Sequence, residues 1–338
     1  MLVSLMQFVT DLTPPPQLVA VWAEERGFAG LYVPEKTHVP ISRSTPWPGG
    51  ELPDWYRRCY DPVVALAAAA AVTTRLRVGT GACLVAVHDP ILLAKQIASL
   101  CAMSGERFVL GVGFGWNVEE LADHGVPFAD RIAVTVDKLA AMRALWAAEP
   151  VHYEGTHASV PPSWAWPKPA VAPPVLFGCR PSARAFEVIA RHGDGWQPIE
   201  GYGELLGALP MLHAAFERAG RDPATAQVCV YSSAGDPATL HEYRRAGVAE
   251  VALALPSAGR GPESPFTEAI SIAARRICAR VWRPTSALGM AFDLPVVSGE
   301  RIHQRGRPVQ GGQHLVAARR GQRERHLRDT GPAVLVQG

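Results

Sequence analysis

The chain has 338 residues, with 48% hydrophobic and 19% charged residues and a net charge of +2, so it can bury a large core and is not globally disordered. Its longest uncharged run near the front, residues 62–74, is shorter than the roughly 20 residues that span a bilayer, and the apolar N-terminus has no basic region and meets Asp11 early; neither a membrane span nor a signal peptide is predicted. Six cysteines (59, 83, 101, 179, 229 and 278) form no CxxC pair and show no metal-ligand spacing, which predicts free thiols in a cytoplasmic protein without a metal site.

Strand and helix signals alternate along the chain. Residues 2–9 read as a first strand, and the Pro14–Pro16 run opens a helix that Gly27 closes. A short strand over 30–34 is followed by a polar, Pro- and Gly-rich loop over 35–60 and a buried helix over 62–73. Residues 76–87 read as a strand, 90–103 as a helix, 107–113 as a buried strand and 130–147 as a long helix. An insertion rich in Pro and Trp fills 148–172. Strands then follow at 174–178, 195–199, 227–232 and 250–255, with helices at 181–191, 203–219, 236–246 and 265–282. About eight strand–helix units predict a mainly parallel sheet with right-handed crossovers, and units of this size fit a closed (β/α)8 barrel better than an open sheet. A doubly wound fold would carry GxGxxG after its first strand; Gly111, Gly113 and Gly115 have a different spacing and follow the fourth.

In such a barrel the chemistry sits where strands end. Glycines at three of these ends allow close approach of backbone to something flat or phosphorylated. Gly178-Cys179-Arg180-Pro181-Ser182 runs directly into a helix, whose free N–H groups, with the Arg180 guanidinium, suit a phosphate. A tight turn with a solvated arginine is the plainer alternative. His38 can donate a hydrogen bond or a proton, or simply cap nearby backbone. Glu35 reads as a structural partner of a Lys or Arg. Asn117 can donate to a ring carbonyl or cap a helix, and Trp116 can wall a pocket or pack. Trp47, Trp55, Trp164 and Trp166 can line an apolar mouth or lie exposed on the two insertions. A metal-dependent hydrolase barrel would need His-x-His near the first strand, which offers only Asp11; there is no GxSxG elbow and no GxxxxGK[ST] loop.

The runs Leu31-Tyr32-Val33-Pro34-Glu35-Lys36-Thr37-His38-Val39-Pro40, Arg75–Gly81, Asp89–Lys95, Gly105–Asn117, Ser163–Pro169 and Gly193–Trp196 together resemble the luciferase-like monooxygenase superfamily, and within it the actinobacterial branch that uses coenzyme F420. The resemblance covers about residues 2–256. It implies a barrel with a deazaflavin, or alternatively FMN, across its C-terminal mouth. It further implies a non-proline cis peptide behind the ring at Gly81–Ala82, His38 beside the ring, Trp116 and Asn117 nearby, and a phosphate loop at Gly178, Cys179, Arg180 and Pro181. The family's commoner phosphate loop is Gly-Gly where this chain has Cys179 and Arg180. The implied activity is hydride transfer between the deazaflavin C5 and a small organic molecule. An FMN-dependent monooxygenase and an impaired, ligand-binding barrel are the alternatives. A homodimer is implied by resemblance alone.

The end of the chain reads differently. Residues 258–338 carry 13 Lys and Arg against 6 Asp and Glu, whereas residues 1–257 carry 20 against 25. Five of the ten glutamines fall in the last 35 residues, and the whole chain has 4 Lys, 29 Arg and one Asn. Such usage suggests a GC-rich gene, in which a shifted reading frame would yield this composition. The sequence therefore predicts a barrel over 1–282 and a basic tail over 283–338, disordered or frame-shifted, the departure beginning after about residue 257. No aromatic residues interleave with the tail's arginines, so nucleic-acid binding is not predicted.

Overall fold

The computed structural model describes residues 1–257 apart from residue 148. The predicted helix over 265–282, the tail over 283–338 and the proposed change of frame lie outside the described residues, as does part of the predicted domain over 1–282.

Eight parallel strands close the barrel: β1 (Leu2–Met6), β2 (Gly30–Val33), β3 (Arg77–Thr80), β4 (Phe108–Gly113), β7 (Val175–Gly178), β8 (Gly195–Trp196), β9 (Gln227–Ser233) and β10 (Glu250–Ala254). Strand β10 returns to pair with β1, Leu2 opposite Glu250 through Met6 opposite Ala254. Between the strands run α1 (Pro16–Glu25), α2 (Pro62–Ala71), α3 (Pro90–Ser104), α4 (Val118–Asp123), α5 (Arg131–Trp146), α6 (Ala183–His192), α7 (Leu205–Arg218) and α8 (Pro237–Arg245). Local chemistry explains these starts. Asp61, Asp89 and Asp236 each accept a backbone N–H of the first helical turn, and each is followed by a proline at the first helical position, where its missing N–H costs no bond.

The expected fold is present, with local differences, among them strands β1 and β8 ending at Met6 and Trp196 rather than at residues 9 and 199. The strand expected over 76–87 stops at Thr80; the chain then bends and makes a short 3-10 turn at Val85–Val87. The insertion over 148–172 contains an antiparallel hairpin, β5 (Val151–Glu154) and β6 (Ser159–Ser163). Helix α4 is foreseen only through the capping role open to Asn117; its six residues are too few to show an apolar periodicity.

The core has two parts. A large apolar layer fills the space between strands and helices, including Leu5, Leu31, Val78, Leu110, Phe177 and Phe216. A smaller cluster of Tyr32, Val109, Leu176, Cys229, Tyr231 and Ala252 fills the barrel itself. Beneath it, at the N-terminal end, Glu250 accepts hydrogen bonds from Ser4 and Tyr32 and pairs with Arg77. Among the described residues no helix is long and apolar enough to cross a membrane.

Candidate functional site

The C-terminal ends of the strands form the candidate site, and its floor is built from small residues. The Gly81–Ala82 peptide is cis, as the resemblance implied. Gly81 lies directly against Tyr231: a Cβ here would come within 2.1 Å of the ring. A Cβ on Gly111 would lie 2.0 Å from the Thr80 carbonyl oxygen and 2.3 Å from Gln197 Oε1. Hydrogen bonds fix this floor, with Thr80 Oγ1 donating to Gly111 O at 2.8 Å and Cys83 N donating to the same oxygen at 2.7 Å.

The long loop after β2 supplies the wall. Phe8, Trp47, Trp55, Tyr56 and Trp116 form a chain of ring contacts with centroids 4.7–6.2 Å apart. Trp116 Nε1 donates to Tyr56 Oη at 3.1 Å, and burial pushes the Tyr56 phenol up to about 12. Glu119 ties the loop to α4, accepting from the backbone and hydroxyls of Ser44 and Thr45 at 2.6–3.1 Å. The Thr45 hydroxyl is the main reason this carboxyl is held down at about 2. Trp47 and Trp55 therefore belong to the mouth. Trp164 and Trp166 do not: they are 84% and 63% exposed, on the outer flank beside Lys95. The hairpin that precedes them packs against α5, where Asp137 accepts from His157 N and Ala158 N.

Lys36 and Glu120 lie under this wall and form an ion pair with side chains 3% and 1% exposed. The Lys36 ammonium is 5.0 Å from the centroid of Trp116 and 6.0 Å from that of Tyr56. Glu120 also accepts from Thr37 N at 3.2 Å and Thr37 Oγ1 at 3.1 Å. Lys36, Glu120 and Tyr56 were not singled out from the sequence. Lys36 stands only two residues before His38, yet Lys36 and Glu120 lie 84 residues apart, and only the fold joins them.

His38 sits farther out. Its side chain is 41% exposed and its Nε2 lies 2.9 Å from Asp123 Oδ2. The Thr37 hydroxyl is within 3.0 Å of both His38 Nδ1 and His124 Nε2, so one hydroxyl links Glu120, His38 and His124. Burial, then the neighbouring His38, hold the His124 imidazole below its ordinary value. Glu35 is a structural partner, but of His88 and the Leu84 N–H rather than of a Lys or Arg.

Asn117 caps α4: its Oδ1 accepts from Glu119 N and Glu120 N at 3.1 and 3.2 Å. Its amide nitrogen is buried with no partner, and so are Gln7 Oε1 and Tyr231 Oη at the same end of the barrel. Across the mouth, Gly178 ends β7 and Ser182 caps α6, accepting from Ala185 N at 3.2 Å. Arg180 is exposed, with its guanidinium 5.4 Å from the Tyr202 ring centroid. Cys179 offers its carbonyl to Trp196 Nε1 at 3.0 Å, while burial raises its thiol to about 12, which keeps it protonated and unreactive at neutral pH. Pro181 packs near Gly203. Beyond the Ala185 N–H that Ser182 takes, the first N–H groups of α6 have no intrahelical partner, an arrangement suited to an anion.

The floor, wall and helix start thus fit a flat ring joined to a phosphate. The floor is made of small residues, three buried polar atoms at this end of the barrel have no partner, and a helix starts just after β7.

The chain matches the family described as luciferase-like monooxygenase over residues 17–283. It is 40% identical over 281 residues to the uncharacterized protein Rv0953c of Mycobacterium tuberculosis, covering 81% of this chain and 98% of that protein. It is 31% identical over 220 residues to the F420-dependent glucose-6-phosphate dehydrogenase of Beutenbergia cavernae, 62% of this chain and 60% of that enzyme. The solved structure of an F420-dependent secondary alcohol dehydrogenase in complex with an F420–acetone adduct has a TM-score of 0.64 at 18% identity, covering 82% and 99% of the two chains.

Proposed function

The chain belongs to the luciferase-like monooxygenase family, an oxidoreductase family, and from that premise we propose that it is an F420-dependent oxidoreductase acting on a small organic molecule. The F420-dependent relative supports the choice of cofactor. The observation that carries the reading is the buried Lys36–Glu120 pair beneath an aromatic wall, at the end of the barrel where the strand ends carry small residues.

In this reading Gly81 and Ala82 support one face of the ring, and Tyr231 holds that segment from below. Trp116 and Asn117 border the ring. Gly178, Cys179, Arg180 and Pro181, with the N-terminus of α6, hold the phosphate. The bound deazaflavin supplies a hydride donor or acceptor at C5. The chain's own residues position the substrate, exclude water and handle its proton.

Two groups divide the proton work. Lys36, desolvated and held by Glu120, donates a hydrogen bond to the substrate oxygen. His38 takes up or returns the proton, with Asp123 orienting its ring and Thr37 connecting it to Glu120 and His124. A preorganised donor in a water-poor site acts more strongly than one in solvent, which favours a carbonyl or alcohol carbon as the reacting centre.

Parallel fluorescence titrations of the full chain with oxidised F420 and with FMN test the cofactor. Saturable binding of F420 alone is expected. Binding of FMN alone would move the reading to an oxygen-using monooxygenase. Binding of neither by folded protein would favour an impaired barrel.

A further inference from the structure

Behind the floor of the mouth lies a second polar cluster, whose members are scattered in sequence. Glu35 follows β2, Cys83 follows Gly81–Ala82, and His88 precedes α3. One ligand-type atom from each lies within 4.8 Å of the other two. Glu35 and Cys83 are buried, whereas the His88 side chain is 23% exposed and faces a cavity of about 360 Å³ shared with Asp89, His124 and His157. Glu35 Oε1 lies 2.5 Å from His88 Nε2, and its other oxygen accepts from Leu84 N at 2.6 Å.

We propose that Glu35, Cys83 and His88 form a binding site for a thiophilic divalent metal ion, best matched by zinc, with a water from the adjoining cavity as fourth ligand. Carboxylate, thiolate and imidazole together suit zinc, whereas calcium and magnesium take oxygen ligands. Charge supports the assignment. One carboxylate, one thiolate and a neutral imidazole carry −2, so a divalent ion leaves the buried cluster neutral and avoids the cost of an isolated charge. No electrons move. The Cys83 proton leaves as the sulfur–metal bond forms, and any proton held on His88 leaves with it.

The surroundings are prepared as a metal site requires. The Leu84 N–H orients the Glu35 carboxylate. Lys138 Nζ donates to Ala86 O and His88 O at 2.6 and 2.7 Å, fixing the turn that carries His88. Cys83 is held on both sides, its N–H donating to Gly111 O and its carbonyl accepting from Gly113 N at 2.9 Å. Such outer contacts hold ligands in orientation. With metal–ligand bonds of roughly 2.0–2.3 Å at tetrahedral angles, the Glu35–His88 contact must open by about 1 Å. His88, at the cavity edge, is the ligand free to make that movement. The ion would clamp the end of β2, the Gly81–Ala82 segment and the start of α3. This site does not depend on which cofactor occupies the mouth.

Cobalt(II) titration of the chelator-stripped full chain tests it, followed by absorption and by metal analysis. One equivalent is expected, with a thiolate-to-cobalt charge-transfer band that zinc abolishes by displacement. Cys83→Ser should remove the band. His88→Gln, changing a partly exposed side chain, should weaken binding about tenfold or more, and it supplies the test even if Cys83→Ser does not fold. Cys59→Ser should leave the band intact. No saturable band, or one that survives both Cys83→Ser and His88→Gln, would overturn the proposal.

Discussion

At the N-terminal end of the barrel, Glu250 is 4% exposed and meets Arg77, Tyr32 and Ser4, each of which aims a donor at it. At the C-terminal end, Lys36 and Glu120 are equally buried, but Tyr231 Oη, Gln7 Oε1 and Asn117 Nδ2 have no partner there. Both ends bury charge. The first closes its polar groups on one another and holds the strands together; the second leaves donors and acceptors unused, as a surface prepared for a ligand does.

The contrast can be broken by substitution. Glu250→Gln should have the largest effect on stability, about 3–5 kcal/mol in denaturant unfolding, because it strands the partly buried Arg77 without its charge partner. Cofactor affinity of the folded fraction should not change. Gly81→Val should cost less stability, about 1–3 kcal/mol from overpacking against Tyr231, but should abolish saturable F420 binding in the same fluorescence titration. Tyr231→Phe should leave stability within about 1 kcal/mol, since its hydroxyl has no protein partner to lose. Its effect should appear as weaker ligand binding.

The smallest effect concerns pH. Because the Glu119 carboxyl is lowered to about 2 in the folded loop from an ordinary 4.5, its anchoring is complete above about 4.5 and is lost as pH falls toward 2. Tryptophan fluorescence of the loop should follow that window, and Glu119→Gln should flatten it. Glu35 and His88 sharpen the comparison within one site. Burial opposes both charges, yet each partner's hydrogen bond and charge hold the Glu35 carboxyl below and the His88 imidazole above its ordinary value. In the metal-free chain their joint contribution is therefore full between about 4.5 and 6.5 and declines on either side, as thermal unfolding across pH of chelator-stripped protein would report.

Much of the barrel was legible because its signals are local. Alternating apolar runs mark the strands, and Asp-Pro pairs mark helix starts such as Asp89-Pro90. Gly178–Pro181 could be placed because strand ends locate a barrel's mouth, whereas Gly81–Ala82 came from the family resemblance alone. The hairpin β5–β6 was missed because two adjacent prolines, Pro161 and Pro162, mask its strand pattern. Apolar residues continue from Leu76 through the bend to Val87, so the sequence pattern extends the strand past its true end at Thr80. The ion pairs at both ends could not be read, since Lys36 meets Glu120 across 84 residues and Arg77 meets Glu250 across 173. Such pairing is a property of barrel closure, not of any window of sequence.

The most direct test of the division between the two ends is an F420 titration of wild type, Glu250→Gln and Gly81→Val side by side, each checked for folded fraction. Equal dissociation constants for wild type and Glu250→Gln, with no saturation in Gly81→Val, are predicted. Unchanged binding in Gly81→Val, or binding lost from folded Glu250→Gln, would contradict the assignment of the C-terminal mouth as the cofactor site.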